Sequence, residues 1–521
     1  MKKYLFLAVA ALGFAACAEK GLENNTPKGE LEESYVAITL AADDMNTRAA
    51  DGKYEEGLTA ERAVKSAYVF FFKVGAAFPV TDDGTTSTNT GAKNYLQVNL
   101  TGNEEDMDNV SDVKDAVLIL KNYKGEYPNQ IVAVLNWDPT SQASYTLENL
   151  KAKIATLGND ANGYVMSNAV YADNAKQAID AVRLTVANIG KTEAEALANP
   201  VTIHVERVAA KVVFTAADGG KFAVEKEIEG KPVYAQIKGF ELYNDYQESW
   251  LIKRIDPSWT DLGFNWNDAD WFRSYWAQSL GKAFEDNTFA WNTENTALGG
   301  FVYCGENTRT WTEDADVRTK VVVKAQLVDA EGNPFEVVNW YGKDYIGEDE
   351  LKTVVANTLK NTYFSGDGQT FTGITPGDIK CVERGAASEK AYEVYFQLSG
   401  TGATKHWYKY EGGSYNKIAD AATLDATLAT IQPALVYKNG MTYYWTDIKH
   451  LGASGKTAEY GIVRNHVYKV NITDITGYGT PVYNGTTDFI TPEKPKDIVT
   501  YVSAQINILS WRLVENDYEL K

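Results

Sequence analysis

The 521-residue chain has only three cysteines and four histidines. Three cysteines cannot build a disulfide framework or a Cys-x-x-Cys zinc site, and four scattered histidines leave little material for a metal cage. No metal and no cofactor are expected. Basic residues are also short: 50 Lys+Arg stand against 70 Asp+Glu, a net charge of −20. That balance excludes a nucleic-acid partner, because phosphate binding needs a basic face, and it gives no general attraction to anionic lipid. Catalytic signatures are missing as well, with no GxSxG, HExxH or P-loop. Glu104-Glu105-Asp106-Met107-Asp108 resembles a calcium loop only in its acidity. Val110 occupies a ligand position and the required glycine is absent. Gly477-Tyr478-Gly479-Thr480 is followed by no helical pattern and is not a dinucleotide loop. With 70 carboxylates, a glycosidase pair cannot be picked out from chance. No enzyme is expected.

What is present is apolar material, 44% of the residues, enough for real cores and about two to four domains. It begins with an address. Lys2 and Lys3 precede the almost wholly apolar stretch from Tyr4 to Phe14. That stretch fits a secretory signal and is too short to stay in a bilayer as a helix. Phe14-Ala15-Ala16-Cys17 resembles a bacterial lipobox, which makes Cys17 the expected site of diacylglycerol and acyl (palmitate) attachment; the alternative is an ordinary signal peptide that happens to carry a cysteine. Residues 18–31 are polar and read as a tether. Cys304 and Cys381 remain, either as a disulfide or as two buried thiols.

Along the mature chain the apolar period is mostly two. Val36, Ile38 and Leu40 alternate with Ala37, Thr39 and Ala41, and further strands are expected at Tyr68–Phe72, Val117–Leu120, Ile131–Leu135, Tyr164–Met166, Val201–Val205, Lys211–Phe214, Val321–Val323 and Val467–Ile472. His204 and His466 fall inside these patterns and read as structural. Helices are few: Leu147, Leu150, Ile154 and Leu157 share a helical face behind the possible cap Thr146. Leu351, Val354, Val355 and Leu359 form a second helix, and Leu424, Leu428 and Ile431 a third, stopped by Pro433. The fold class is all-β with a few short helices, built as β-sandwich domains that meet near Ala216–Gly220. An aromatic cluster, Phe264, Trp266, Trp271, Phe272, Tyr275 and Trp276, lies among Asn and Asp residues. It is either an insertion or interface packing on itself, or a sugar-stacking site using Trp266, Trp271 and Trp276.

The two ends carry the most informative pattern. Val502, Ala504, Ile506 and Ile508 alternate with polar residues, and Trp511 and Leu513 resume the alternation after a shift. Before them, Thr491–Lys496 is a proline-containing, glycine-free hinge. The chain therefore ends in an apolar strand on a semi-rigid arm. At the other end, the Val36–Ile38–Leu40 strand is followed by Arg48 in a polar loop, where an Arg-specific protease would cut between Arg48 and Ala49. Losing that strand would open a sheet edge and an apolar groove. A strand from another copy would fill it, and because such a contact does not close on itself it makes a filament. The alternative is that both strands belong to ordinary sheets.

Several stretches resemble the fimbrillin family, the subunits of type V pili, in the branch of the Mfa-like major fimbrial subunit. They are Asn46-Thr47-Arg48-Ala49, Glu206–Val212, Tyr303–Thr308, Gly461–Val470 and Gln505–Trp511. The resemblance implies two transthyretin-like β-sandwich domains and a structural stalk subunit of a fimbrium that supports cell adhesion. It implies export as a lipoprotein to the outer membrane, cleavage after Arg48, and polymerisation by exchange of the C-terminal strand. The expected layout is a signal peptide over 1–16 and a lipidated propeptide with the removable strand over 17–48. An N-terminal domain over 49–218, a C-terminal domain over 219–490, and the hinge with donor strand over 491–521 follow. Expected partners are other copies of the chain, tip and anchor subunits, the protease, and the outer membrane through the lipid. Arg464, Asn465 and His466 read as turn and sheet scaffolding. The rival expectation is a surface lipoprotein that binds glycans through residues 264–276.

Overall fold

The computed structural model describes residues 31–41, 57–80, 93–98, 114–123, 125–142, 144–172, 178–255, 277–281, 284, 289–308, 317–383, 393–399, 406–419, 421–486, 489–490, 502–509 and 514–516. The chain is mostly strand, with a few short helices, as the period-two pattern predicts. It divides into two compact units. The first takes residues 1–210 with 247–280 and 463–465; the second takes 211–246, 281–462 and 466–521. Ala217–Gly220 is a tight turn inside the second unit.

The first unit is organised around one ten-stranded sheet. Its main strands are β1 (Leu31–Ala41), β2 (Ala67–Lys73), β3 (Lys114–Tyr123), β4 (Gln130–Leu135), β5 (Met166–Asn168) and β6 (Val201–Arg207). They lie in the order β3–β1–β6–β5–β4–β2. Strands from the two ends of this order share one core: Val36 and Ile38 of β1, Leu118 and Leu120 of β3, and Val69 and Phe71 of β2. The sheet therefore turns its apolar face inward on itself, the way such a face is kept from water. β2 reads as a continuous apolar run because it is buried on both faces. Val69 and Phe71 enter this core, whereas Phe70 packs edge-on against Tyr145, with ring centroids 5.6 Å apart.

The second unit contains three five-stranded sheets and one of four strands. In one, the order is Phe301–Cys304, Ala210–Ala216, Val467–Ile475, Val502–Leu509, Val514–Asn516. Ala210–Ala216 and Val467–Ile475 run parallel, and Val212, Phe214, Tyr468, Val470 and Ile472 are buried between them and their neighbours. The helix Gly347–Leu359 buries Leu351, Val355 and Leu359 in a core shared with Val338, Val394, Phe396 and Trp407. Three acidic residues in its first turn suit the positive end of the helix dipole. Among the described residues, no helix is long and apolar enough to cross a membrane.

Two helix expectations change. The helix behind Thr146, whose hydroxyl accepts from the Asn149 amide, runs only from Leu147 to Lys151. Ile154–Thr156 is instead a strand paired with Glu248–Trp250. A non-local partner overrides the local period, so Ile154 ends up exposed. The third helix spans Ala421–Thr427, well short of Pro433, although Leu424 and Leu428 are buried as its pattern requires.

Candidate functional site

β1 is an interior strand. On one side it pairs antiparallel with β3 over ten register positions, from Leu31↔Tyr123 to Leu40↔Lys114. On the other it pairs parallel with the start of β6, Ile38↔Val201 to Ala41↔His204, and antiparallel with Ile189–Gly190. Its alternation explains this place. Val36, Ile38 and Leu40 are 0%, 1% and 5% exposed and sit in the core of the unit, while Tyr35 and Thr39 on the opposite face are half-buried. An ion pair, Glu33 to Lys121 at 4.0 Å, marks the outer end of the strand. Both partners are exposed, so it contributes little. The hold on β1 is therefore apolar burial plus a double ladder.

Such a strand is a filled slot. Its walls are β3 and β6, and its floor is made by Leu118, Leu120, Ile131, Ala133, Ile203 and Val205. Burying Val36, Ile38 and Leu40 at about 1.5–3 kcal/mol each stabilises the unit by about 5–9 kcal/mol, an upper figure against an extended chain. Taking β1 away would leave that floor wet and two strand edges unpaired.

The C-terminal strand Val502–Leu509 is paired antiparallel with Val467–Ile475 of its own chain, Ile506 opposite Val470 and Ile508 opposite Tyr468. A one-residue irregularity falls between Ile472 and Asp474. The sequence suggests a strand free on an arm; instead its backbone continues the ladder of Val467–Ile475, which would otherwise present an open edge. Val502, Ala504, Ile506 and Ile508 thus belong to one strand. Trp511 and Leu513 lie outside the described residues, as do Cys17, Arg48, Ala49, Trp266, Trp271, Trp276, the hinge at 491–496 and the acidic segment at 104–108.

Arg464 and Asn465 have structural partners within the first unit. Arg464 is fully buried and donates to the carbonyls of Trp250 at 2.6 Å and Leu251 at 3.3 Å. Asn465 adopts a left-handed backbone, φ 58°, which asparagine tolerates better than most residues. Its Oδ1 accepts from the Arg207 amide and guanidinium, each at 3.3 Å. Glu206 and Lys253 form an ion pair at 3.6 Å with both side chains inaccessible. In the second unit, the carbonyl of His466 accepts from the Lys211 amide at 2.9 Å, continuing the parallel ladder. These are turn and sheet supports. Sequence reading missed Glu206–Lys253 because the two residues are far apart in the chain and nothing local names Lys253 as the partner of Glu206.

Cys304 and Cys381, both in the second unit, are free thiols. Burial pushes the Cys304 thiol well up, with Asp245 adding to it. Burial, then the Glu348 carboxylate, pushes Cys381 up to about 12. Neither forms the thiolate that reactivity requires at neutral pH.

No curated protein matches the sequence. Among solved structures, similar chains include a putative cell adhesion protein from Parabacteroides distasonis ATCC 8503. It is 13% identical with TM-score 0.39, covering 93% of this chain and 100% of that one. A fimbrilin from Porphyromonas gingivalis W83 is 12% identical with TM-score 0.38, covering 92% and 98%. A C-terminally truncated tip fimbrial protein from Porphyromonas gingivalis is 13% identical with TM-score 0.30, covering 92% and 100%. Residues 435–517 match the family described as major fimbrial subunit protein type IV, fimbrillin, C-terminal. That span contains both Val467–Ile475 and Val502–Leu509, and over it the chain is similar to the C-terminal region of the fimbrillin family of fimbrial subunits.

Proposed function

We propose that the chain is the stalk subunit of a type V fimbrium on the cell surface, exported as a lipoprotein through Cys17. Cleavage between Arg48 and Ala49 frees β1, and the C-terminal strand of the next subunit takes its place. The observation that carries this reading is the interior position of β1. It is the first strand among the described residues, it is paired on both edges, and it ends seven residues before Arg48 in the sequence. One peptide-bond cut therefore makes an entire core strand replaceable without breaking any later part of the chain.

The replacement matches in residue type. Ala504, Ile506 and Ile508 repeat the alternation of Val36, Ile38 and Leu40. A strand running in the sense of β1 would recover the parallel ladder with β6 and the antiparallel ladder with β3 together. The exchanged apolar areas are similar, so the donor recovers most of the about 5–9 kcal/mol released with β1. Before exchange, the donor is occupied by Val467–Ile475 of its own chain. Assembly on this reading trades one ladder for another, which keeps uncut subunits from aggregating through an open edge. The role is structural, with no reaction chemistry asked of any residue. The partners are other copies, tip and anchor subunits, and the Arg-specific protease.

The test is a mild-denaturant gel of the purified chain before and after limited Arg-specific proteolysis, with N-terminal sequencing. A new N-terminus at Ala49 together with a ladder of multimers is expected. Cleavage at Arg48 that yields monomers alone would overturn the assembly claim.

A further inference from the structure

Beyond the end of β4, three chain segments of the first unit enclose a cleft of about 680 Å³. They are the Asn136–Asp138 turn, the 156–163 hairpin and Gln247. The half-buried Trp137 lines it. Among the described residues its one ring contact is edge-on with Tyr145, centroids 6.1 Å apart, and its indole N–H has no acceptor. Around it, two polar side chains are fixed by one atom and open at the other, and a third is open at both. Asp138 Oδ1 accepts from the Thr140 amide at 2.8 Å, leaving Oδ2. Asn159 Oδ1 accepts from the amides of Ala161 and Asn162 at 3.1 and 2.9 Å, leaving its NH₂. The Asn162 side-chain amide has no partner among the described residues.

The frame is rigid. Gly158 and Gly163 have φ 90° and 79°. A Cβ on the first would sit 2.3 Å from the Gly163 carbonyl oxygen, and one on the second 2.4 Å from Asn136 Nδ2. Asn136 is itself pinned, accepting from the Lys65 amide at 2.7 Å and donating to the carbonyls of Ala63 and Tyr164 at 2.8 Å. The backbone that carries these groups, and the Asp138 and Asn159 side chains held by their own hydrogen bonds, therefore keep their spacing without a ligand, which lowers the ordering cost of binding.

The lining holds one carboxylate and no Lys, Arg or His. That disfavours an anionic ligand, and one carboxylate is too few for a calcium or magnesium site. A purely apolar ligand would strand the amide and carboxylate groups. A ring with one C–H face and several hydroxyls satisfies both the indole and the polar rim. We propose that this cleft binds a neutral hexopyranose unit of a glycan, with Trp137 as the stacking surface and Asp138, Asn159 and Asn162 as hydroxyl partners. The site is independent of strand exchange, since none of its residues belongs to β1 or its flanking strands.

The test is saturation-transfer NMR on the full chain with cellobiose, maltose, lactose and N-acetyllactosamine at about 5 mM, the regime expected for a single small cleft. 3′-Sialyllactose serves as the anionic control. Expected is transfer from at least one neutral disaccharide, weakened at least about tenfold in affinity by Trp137→Ala and by Asn162→Ala, and partly retained by Trp137→Phe. Asn162 and Asp138 are exposed, so Asn162→Ala and Asp138→Asn decide the matter should Trp137→Ala fail to fold. The proposal is overturned by no transfer from any of the four, by unchanged transfer in Asn162→Ala and Asp138→Asn, or by preference for the sialylated sugar.

Discussion

Replacing Ile38 with alanine isolates what holds β1 in the uncut chain. Ile38 is 1% exposed, lies opposite Ala116 of β3 and Val201 of β6, and packs in the core shared with Val69, Phe71 and Ile203. Truncation removes buried methyl and methylene groups and leaves a cavity that a paired strand cannot collapse into. The expected loss is about 2–5 kcal/mol. Thr39, one residue on and half-buried on the other face, is the control: Thr39→Ala should cost under about 1 kcal/mol. Because the chain has two compact units, a single two-state fit is not licensed. Urea unfolding should therefore be followed by hydrogen exchange on peptides from β3 and β6. Ile38→Ala should lower protection there, and Thr39→Ala should hardly change it. Equal effects of the two substitutions would refute the claim that the inward face of β1 is what fills the slot.

Other expectations follow from the same geometry. Arg48→Ala should leave a lipidated monomer at the membrane, read by fractionation and gel, and normal fibres would count against Arg48 as the trigger. Deleting the chain from Val502 onward, or placing Asp at Ile506, should abolish multimers while leaving soluble protein, because an unpaired charge in an apolar slot is costly; unchanged fibre length by electron microscopy would remove the tail from the mechanism. Arg464→Met should destabilise the first unit by about 3 kcal/mol, since the carbonyls of Trp250 and Leu251 lose their guanidinium donors; an unaltered denaturation midpoint would contradict the scaffolding role. In the second unit, burial raises the phenols of Tyr437 and Tyr444, which donate to the carbonyls of Gly479 at 2.9 Å and Gly477 at 2.8 Å. A raised folded pKa gives stability that is present below the unfolded value and lost as pH rises. Stability of this unit should therefore hold up to pH about 10 and fall above it, as followed by circular dichroism; a loss of structure beginning near neutral pH would contradict it.

The local pattern made the strands legible. Val36–Leu40, Tyr68–Phe72 and Val467–Ile472 alternate or run apolar, and each is a strand. The helix over Leu351–Leu359 was equally readable, since its period and length agree. Pairing was not legible. Nothing in residues 114–123 or 201–207 names β1 as their common neighbour, because partners are chosen by burial across long loops rather than by local period. The same reason shortened the helix after Thr146, where Trp250 claimed Ile154 as a strand partner. It also hid the docking of Val502–Leu509 on its own chain. The cleft at Trp137 escaped notice because its residues come from three separated segments, none with a motif.

The central claim is that the C-terminal strand of one subunit takes the register of β1 in another, and engineered cysteines test it most directly. One variant carries Ala116→Cys, opposite Ile38 in the β1 ladder. The second set carries single cysteines at Ala504, Ile506 or Ile508. After Arg-specific cleavage and mixing, a reducible dimer is expected between Ala116→Cys and one of the three donor variants, absent without cleavage and absent when either cysteine is missing. Fibres that form normally with no such cross-link at any of the three positions would contradict it.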